Sequence, residues 1–166
     1  MSQVLYIMCG VGFSGKSTLA KKIAEYKNAV LVSQDGIYFE SPDAFDQDND
    51  NDWEKILTIA KTRIRENLEK GDSVVFDNTN TRRAHRDELR DIAKEYEAQT
   101  VVIYLDTSLE TQVERQIKNK ESAERHDVKQ EYLDAARAEL EIPASDENVF
   151  IFTPDTNIND WLKQLP

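Results

Sequence analysis

Val4-Leu-Tyr-Ile-Met-Cys9-Gly10-Val-Gly-Phe-Ser-Gly15-Lys16-Ser17 runs from six apolar residues straight into a glycine-rich octet. The apolar six show no alternation, the pattern of a strand buried on both faces of a parallel sheet. The octet satisfies G-x-x-x-x-G-K-[S/T] in full, and a helical pattern over 16–26 follows it. Between a strand and a helix, that spacing reads as a phosphate-binding loop. Gly10 and Gly15 permit backbone conformations and close approaches that a Cβ would block. The loop N–H groups and the helix N-terminus supply a ring of donors to phosphate oxygens. Lys16 brings a point charge to the β- and γ-phosphates, and the Ser17 hydroxyl is a ligand for Mg²⁺. The stretch predicts binding of a nucleoside triphosphate and says nothing of an acceptor.

Outward from this loop, short β-rich runs alternate with longer amphipathic ones. Runs at 29–33, 73–76, 100–105 and 149–152 predict four further strands. Apolar residues at 53, 56, 57, 60, 64 and 68 predict a helix over 53–70, with Gly71 as its stop. Thr81 and Ser108 read as N-caps of helices reaching about 97 and 120. A charged stretch at 119–127 precedes a helix to about 140, and 158–165 reads as a short closing helix. Segment 41–52 is polar, acidic and carries Pro42, so it reads as a loop or insertion. Five strands alternating with helices predict an α/β fold, a five-stranded, mainly parallel sheet sandwiched by helices. A chain of 166 residues fits one domain, here 1–166. The site of such a sheet lies beyond the carboxyl ends of its strands. That rule singles out 10–17, Asp35, 77–80 and Asp106.

Composition narrows the function classes. The net charge is −11, a poor footprint for broad, non-specific nucleic-acid binding, though a local basic groove is compatible with it. Six carboxylates fall within 43–54, from Asp43 to Glu54. Asp46, Asp48 and Asp50 resemble the start of a calcium loop. Asn51 stands where that loop needs glycine and Leu57 where it needs glutamate, so an EF-hand is rejected. Cys9 is the only cysteine, which excludes an intrachain disulfide and fits a reducing compartment. The N-terminus has no basic region or cleavage site of a secretory signal, and no apolar run approaches the ~20 residues that span a bilayer. These features predict a cytoplasmic protein without membrane partners; the oligomeric state is not readable.

The other candidates carry two readings each. Asp35, in Ser33-Gln-Asp35-Gly-Ile-Tyr38, is placed either to accept a proton from an attacking hydroxyl or to form an Asp-Gly turn. Asp77 ends an apolar strand in the manner of a Walker B carboxylate supporting Mg²⁺, against an Asx turn. Arg82, Arg83 and Arg86 are suited to an anionic acceptor, against a solvated helix face. Arg115 and Arg125 bracket a charged stretch suited to closing over phosphates, against ordinary helix-surface charge. His85-Arg86-Asp87 matches the start of a protein-kinase catalytic loop but lacks its companions.

Five segments together resemble the small P-loop kinases of the polynucleotide kinase and zeta-toxin type, grouped with chloramphenicol phosphotransferase-like proteins. They are 10–18, Ser33-Gln-Asp35, Val74-Val-Phe-Asp77-Asn78-Thr79-Asn80, 109–115, and Arg125-His126-Asp127-Val128 leading to Glu139-Leu-Glu141-Ile-Pro143. The resemblance spans nearly the whole chain and implies a P-loop NTPase fold with a small helical lid near 116–128. It implies ATP and Mg²⁺ as cofactors. Gly10, Gly12, Ser14, Gly15, Lys16, Ser17 and Thr18 would hold the nucleotide, with Arg115 and Arg125 reaching its phosphates. Lys16, Asp35 and Arg115 would be catalytic, Asp35 as general base, and Ser17 with Asp77 would serve the metal. Asp35, Tyr38, Asn78, Arg82, Arg83 and Arg86 would face the acceptor. Two departures stand out: Tyr38 occupies the place of an acceptor-binding arginine, and Asn119 that of a lid arginine. The implied reaction is transfer of the γ-phosphate of ATP to a hydroxyl, with a lean toward a nucleic-acid 5′-end. The alternatives are a small-molecule hydroxyl and a regulatory ATPase without acceptor.

Overall fold

The computed structural model describes residues 3–124 and 127–166. The strands are β1 (Val4–Cys9), β2 (Val30–Ser33), β3 (Val74–Asp77), β4 (Gln99–Leu105) and β5 (Val149–Phe152). The α-helices are α1 (Lys16–Lys27), α2 (Gln34–Glu40), α3 (Asp50–Glu69), α4 (Arg83–Glu95), α5 (Leu109–Ser122), α6 (Gln130–Glu139) and α7 (Ile158–Leu162). Among the described residues the five strands form one parallel sheet in the order β2-β3-β1-β4-β5. β1 is central and wholly buried. Its Leu5, Ile7 and Cys9 pack toward α3 and α4, against Ile56, Ile64 and Leu89. Its Tyr6 and Met8 pack on the opposite layer with Leu19 and Ile23 of α1 and Trp161 of α7. Successive side chains of a strand point to opposite faces, so a strand covered on both must be apolar throughout.

Local signals set most boundaries. Ser108 caps α5 by accepting the Thr111 N–H, as expected. Gly71 follows α3 at φ +87°, the left-handed region where glycine ends helices without steric penalty. Thr81 is not the cap of α4; Arg82 is, and the helix starts at Arg83. The segment read as a loop over 41–52 is more ordered than that. A 3₁₀ turn spans Pro42–Ala44, and α3 begins at Asp50. Its Asp and Asn side chains cap the segment's own backbone: Asp52 accepts the Asp46 N–H, Asp46 accepts the Asp48 N–H, and Asn49 accepts the Asn51 N–H. The Asp35-Gly36 turn is instead part of α2, capped by Ser33 through the Gly36 N–H. The region expected as a lid begins as the last turns of α5, which runs to Ser122. No described helix is long and apolar enough to cross a membrane.

Candidate functional site

β3, β1 and β4 are neighbours, so the loops leaving their carboxyl ends lie side by side. The β1–α1 loop is held from both flanks. The Gly10 N–H donates to the Thr79 carbonyl (3.0 Å). Asn80, in the left-handed region at φ +43°, donates Nδ2 to the Met8 carbonyl (2.7 Å). From the other side, Thr107 Oγ1 donates to the Ser14 carbonyl (3.0 Å) and Arg115 Nη1 to the Phe13 carbonyl (3.2 Å). Lys16 Nζ donates to the Val11 carbonyl (3.0 Å), which keeps the ammonium against the loop. Three loop carbonyls are thereby engaged, and the N–H groups leading into α1 remain the natural donors to an anion. Gly15 sits at φ +98°, where L side chains are strained, and a Cβ there would meet Arg115 Nη1 at 3.3 Å. Ser14 Oγ is buried and has no hydrogen-bond partner among the described residues, a state that costs about 1–3 kcal/mol and that a phosphate oxygen would relieve.

Beside the loop opens a cleft of about 360 Å³. Thr18, Lys22 and Arg115 line it from α1 and α5, and Phe152, Pro154 and Thr156 from the end of β5. Its volume and mixed lining suit a nucleoside. The β5 contribution is absent from the sequence-derived site, although 153–156 follow a strand just as the other candidates do. Thr107, which braces the loop, follows β4 in the same way and was equally missed.

On the other flank, β2 pairs with β3 so that Ser33 lies opposite Asp77. Asp35, exposed in the first turn of α2, and Asp77, 7% exposed at the end of β3, therefore come from adjacent strand ends. Among the described residues no three His, Cys, Asp or Glu cluster as a metal cage. Mg²⁺ needs none, because it takes one or two protein oxygens and completes its shell with phosphates and water. Ser17 and Asp77 are hard oxygen donors of that kind. Asn78 is half-buried, and its Oδ1 accepts the Thr79 N–H (2.8 Å).

The residues expected to face an acceptor lie in different settings. The Arg86 side chain is fully buried and forms a two-point ion pair with Glu147, Nε–Oε2 2.7 Å and Nη2–Oε1 3.1 Å. Its Nη1 donates to the carbonyls of Asn80 and Thr81, both at 3.0 Å. Nothing of this guanidinium is left for a ligand; it holds the β3–α4 loop to the segment before β5. Arg82 pairs with Glu139, and Arg83 with Asp146, both as ion pairs at the exposed surface. Tyr38 is 8% exposed, stacks on Trp53 and accepts a hydrogen bond from Gln47 at its hydroxyl (2.7 Å). It braces α2 against α3. Arg115 reaches the loop from the body of α5, ahead of the expected lid, and Arg125 with His126 lies outside the described residues. Burial pushes the Cys9 thiol up to about 11, which keeps it protonated and excludes a nucleophilic role at neutral pH.

The profile of the family described as AAA domain matches residues 5–143. No curated protein matches the sequence. The fold is similar to that of a candidate kinase from Chloroflexus aurantiacus, with TM-score 0.80 and 16% identity over 98% of this chain and 96% of that one. It is also similar to a gluconokinase from Sinorhizobium meliloti, with TM-score 0.68 and 19% identity over 98% and 87%. The APS kinase CysC of Mycobacterium tuberculosis, in complex with AMPPNP and APS, aligns with TM-score 0.71 and 15% identity over 98% and 95%. At these identities the likeness is one of fold. Neither the profile nor these structures singles out the polynucleotide kinase and zeta-toxin group.

Proposed function

We propose that this chain, which belongs to the AAA domain family, is an ATP-dependent phosphotransferase acting on a hydroxyl of a small polar molecule. The observation that carries the reading is the braced phosphate loop, with Lys16 against it, an orphaned Ser14 hydroxyl inside it and a nucleoside-sized cleft beside it. In this reading the loop N–H groups and Lys16 hold the triphosphate. Arg115, already bonded to the loop, offers its charge to the transferring group. Asp35 orients the acceptor hydroxyl and takes its proton as the oxygen attacks the γ-phosphorus. The bond to the β–γ bridging oxygen breaks, and that oxygen leaves on ADP. Ser17 and Asp77 would hold Mg²⁺, whose charge would stabilise the phosphates of the nucleotide. Most of the acceleration comes from positioning and fixed charge.

The acceptor follows from electrostatics. The lean toward a nucleic-acid end rested on the segment 77–80, with Arg82, Arg83 and Arg86 to hold the acceptor's backbone, and each of these three arginines pairs with a carboxylate. The acidic segment between α2 and α3 adds repulsion toward a polyanion. Gluconokinase and APS kinase, which share the fold, lean the same way. The test is transfer of γ-labelled phosphate from Mg-ATP to a panel of small hydroxyl compounds and 5′-hydroxyl oligonucleotides. Label on a small compound is the expected result. Label on the oligonucleotide would overturn the acceptor, and hydrolysis with no labelled product would favour a regulatory ATPase. Asp35→Ala should lower transfer by about 10²- to 10⁴-fold, the usual contribution of a positioned base, while calorimetry still detects ATP binding. Transfer at the wild-type rate would remove Asp35 from the mechanism.

A further inference from the structure

Gly12 occupies one of the free positions of the loop motif, so the motif does not ask for glycine there. Its backbone does not ask for it either: the glycines with positive φ are Gly10, Gly15 and Gly71. What a side chain there would meet is α6. A Cβ built on Gly12 would overlap Leu133 Cδ2. Leu133 is 1% exposed, is the one buried residue of α6 and belongs to neither core layer of the sheet. Hydrogen bonds among the described residues also tie α6 to α5, Arg137 Nε to Gln112 Oε1 (3.1 Å) and Gln116 Nε2 to Gln130 Oε1 (3.2 Å). The first continues to the loop, since Gln112 Nε2 donates to the Thr107 carbonyl and Thr107 Oγ1 to the Ser14 carbonyl. Helix α6 therefore reaches the phosphate loop twice, by an apolar plug and by a hydrogen-bond relay.

Resting on the phosphate-loop reading above, we infer that Leu133 is a positioning residue that holds the loop in its phosphate-receiving shape and couples α6 to nucleotide occupancy. The ends of α6 give this coupling a destination. Lys129, its N-cap, pairs with Asp48 of the acidic segment, and the Glu141 N–H beyond its C-terminus donates to the Thr81 carbonyl. A shift of the loop at Gly12 must displace Leu133 in a close-packed contact, and the helix carries that shift toward the acceptor side.

The test is a double-mutant cycle of Gly12→Ala and Leu133→Ala. It is read by ATP affinity and by hydrogen exchange of the loop amides at 11–16. Gly12→Ala should weaken ATP binding about tenfold, within the coupling range of contacting residues. Leu133→Ala should speed loop exchange and weaken binding to a smaller degree, and the double variant should bind no worse than Leu133→Ala alone. A double variant as weak as Gly12→Ala would overturn the inference, because the glycine would then serve the phosphate directly. Unchanged loop exchange in Leu133→Ala would also overturn it. Exchange needs no nucleotide, so a wild-type protein that failed to bind ATP would refute the proposed function while the exchange data still decided the role of Leu133.

Discussion

Lys16→Ala is expected to abolish phosphoryl transfer, lowering kcat by about 10³-fold or more, and to weaken ATP binding by roughly 10- to 100-fold. The first magnitude follows from removing a fixed charge aimed where negative charge develops. The second follows from the 1.5–3 kcal/mol that a charged hydrogen bond contributes. The protein should remain folded, since Lys16 is half-exposed and its bond to the Val11 carbonyl lies within its own loop, outside the apolar core. Lys16→Arg should not rescue turnover. A planar fork replaces a compact ammonium in a loop whose neighbouring Gly15 already packs against Arg115. Labelled-phosphate transfer, calorimetric ATP titration and a thermal melt together check the result. Wild-type transfer by Lys16→Ala would refute the phosphotransferase assignment at its best-supported residue.

Glu147→Gln lowers stability by about 3–5 kcal/mol, because it leaves the buried Arg86 guanidinium without its counter-charge. For a chain of this length that corresponds to a fall in Tm on the order of 10 °C. Urea unfolding should show a lower midpoint with an unchanged slope. The double variant Arg86→Met, Glu147→Gln should recover much of the loss, since removing both charges also removes their desolvation penalty. The pH dependence has a definite sign. Burial pushes the Glu147 carboxyl up, but the Arg86 hydrogen bonds and the Ala144 N–H outweigh it and hold the group below its usual 4.5. Against burial, the Glu147 contacts hold the Arg86 guanidinium above its usual value, so it stays charged throughout. The stabilisation is therefore present above about pH 4.5 and is lost as pH falls through the lower folded value. Stability of Glu147→Gln should depend less on pH over that acid window. An equal acid dependence in both proteins would show that the pair contributes nothing.

The phosphate loop was readable because one contiguous octet carries both its chemistry and its setting between β1 and α1. The strands were readable because burial on both faces demands an uninterrupted apolar run. Ser108 and Gly71 mark helix ends through contacts with residues a few positions away. Helix α2 escaped notice because its seven residues bury only Ile37 and Tyr38, too few to show a period.

By itself the sequence determined the α/β class, the alternation of five strands with helices, the glycine-rich loop between β1 and α1 and the carboxylates at the strand ends. All of these rest on backbone conformation, apolar burial and caps, which act between near neighbours in the chain. Only the tertiary structure decided which charges are available. Arg86 looks like its neighbours Arg82 and Arg83 along the chain, yet Glu147, 61 positions away, takes it out of solvent. Gly12 looks like a part of the nucleotide motif, yet a Cβ there would meet Leu133 of α6, 121 positions away. Ion pairs and steric contacts act over a few ångströms in space, and no spacing in the sequence encodes which distant residues the fold brings within that range.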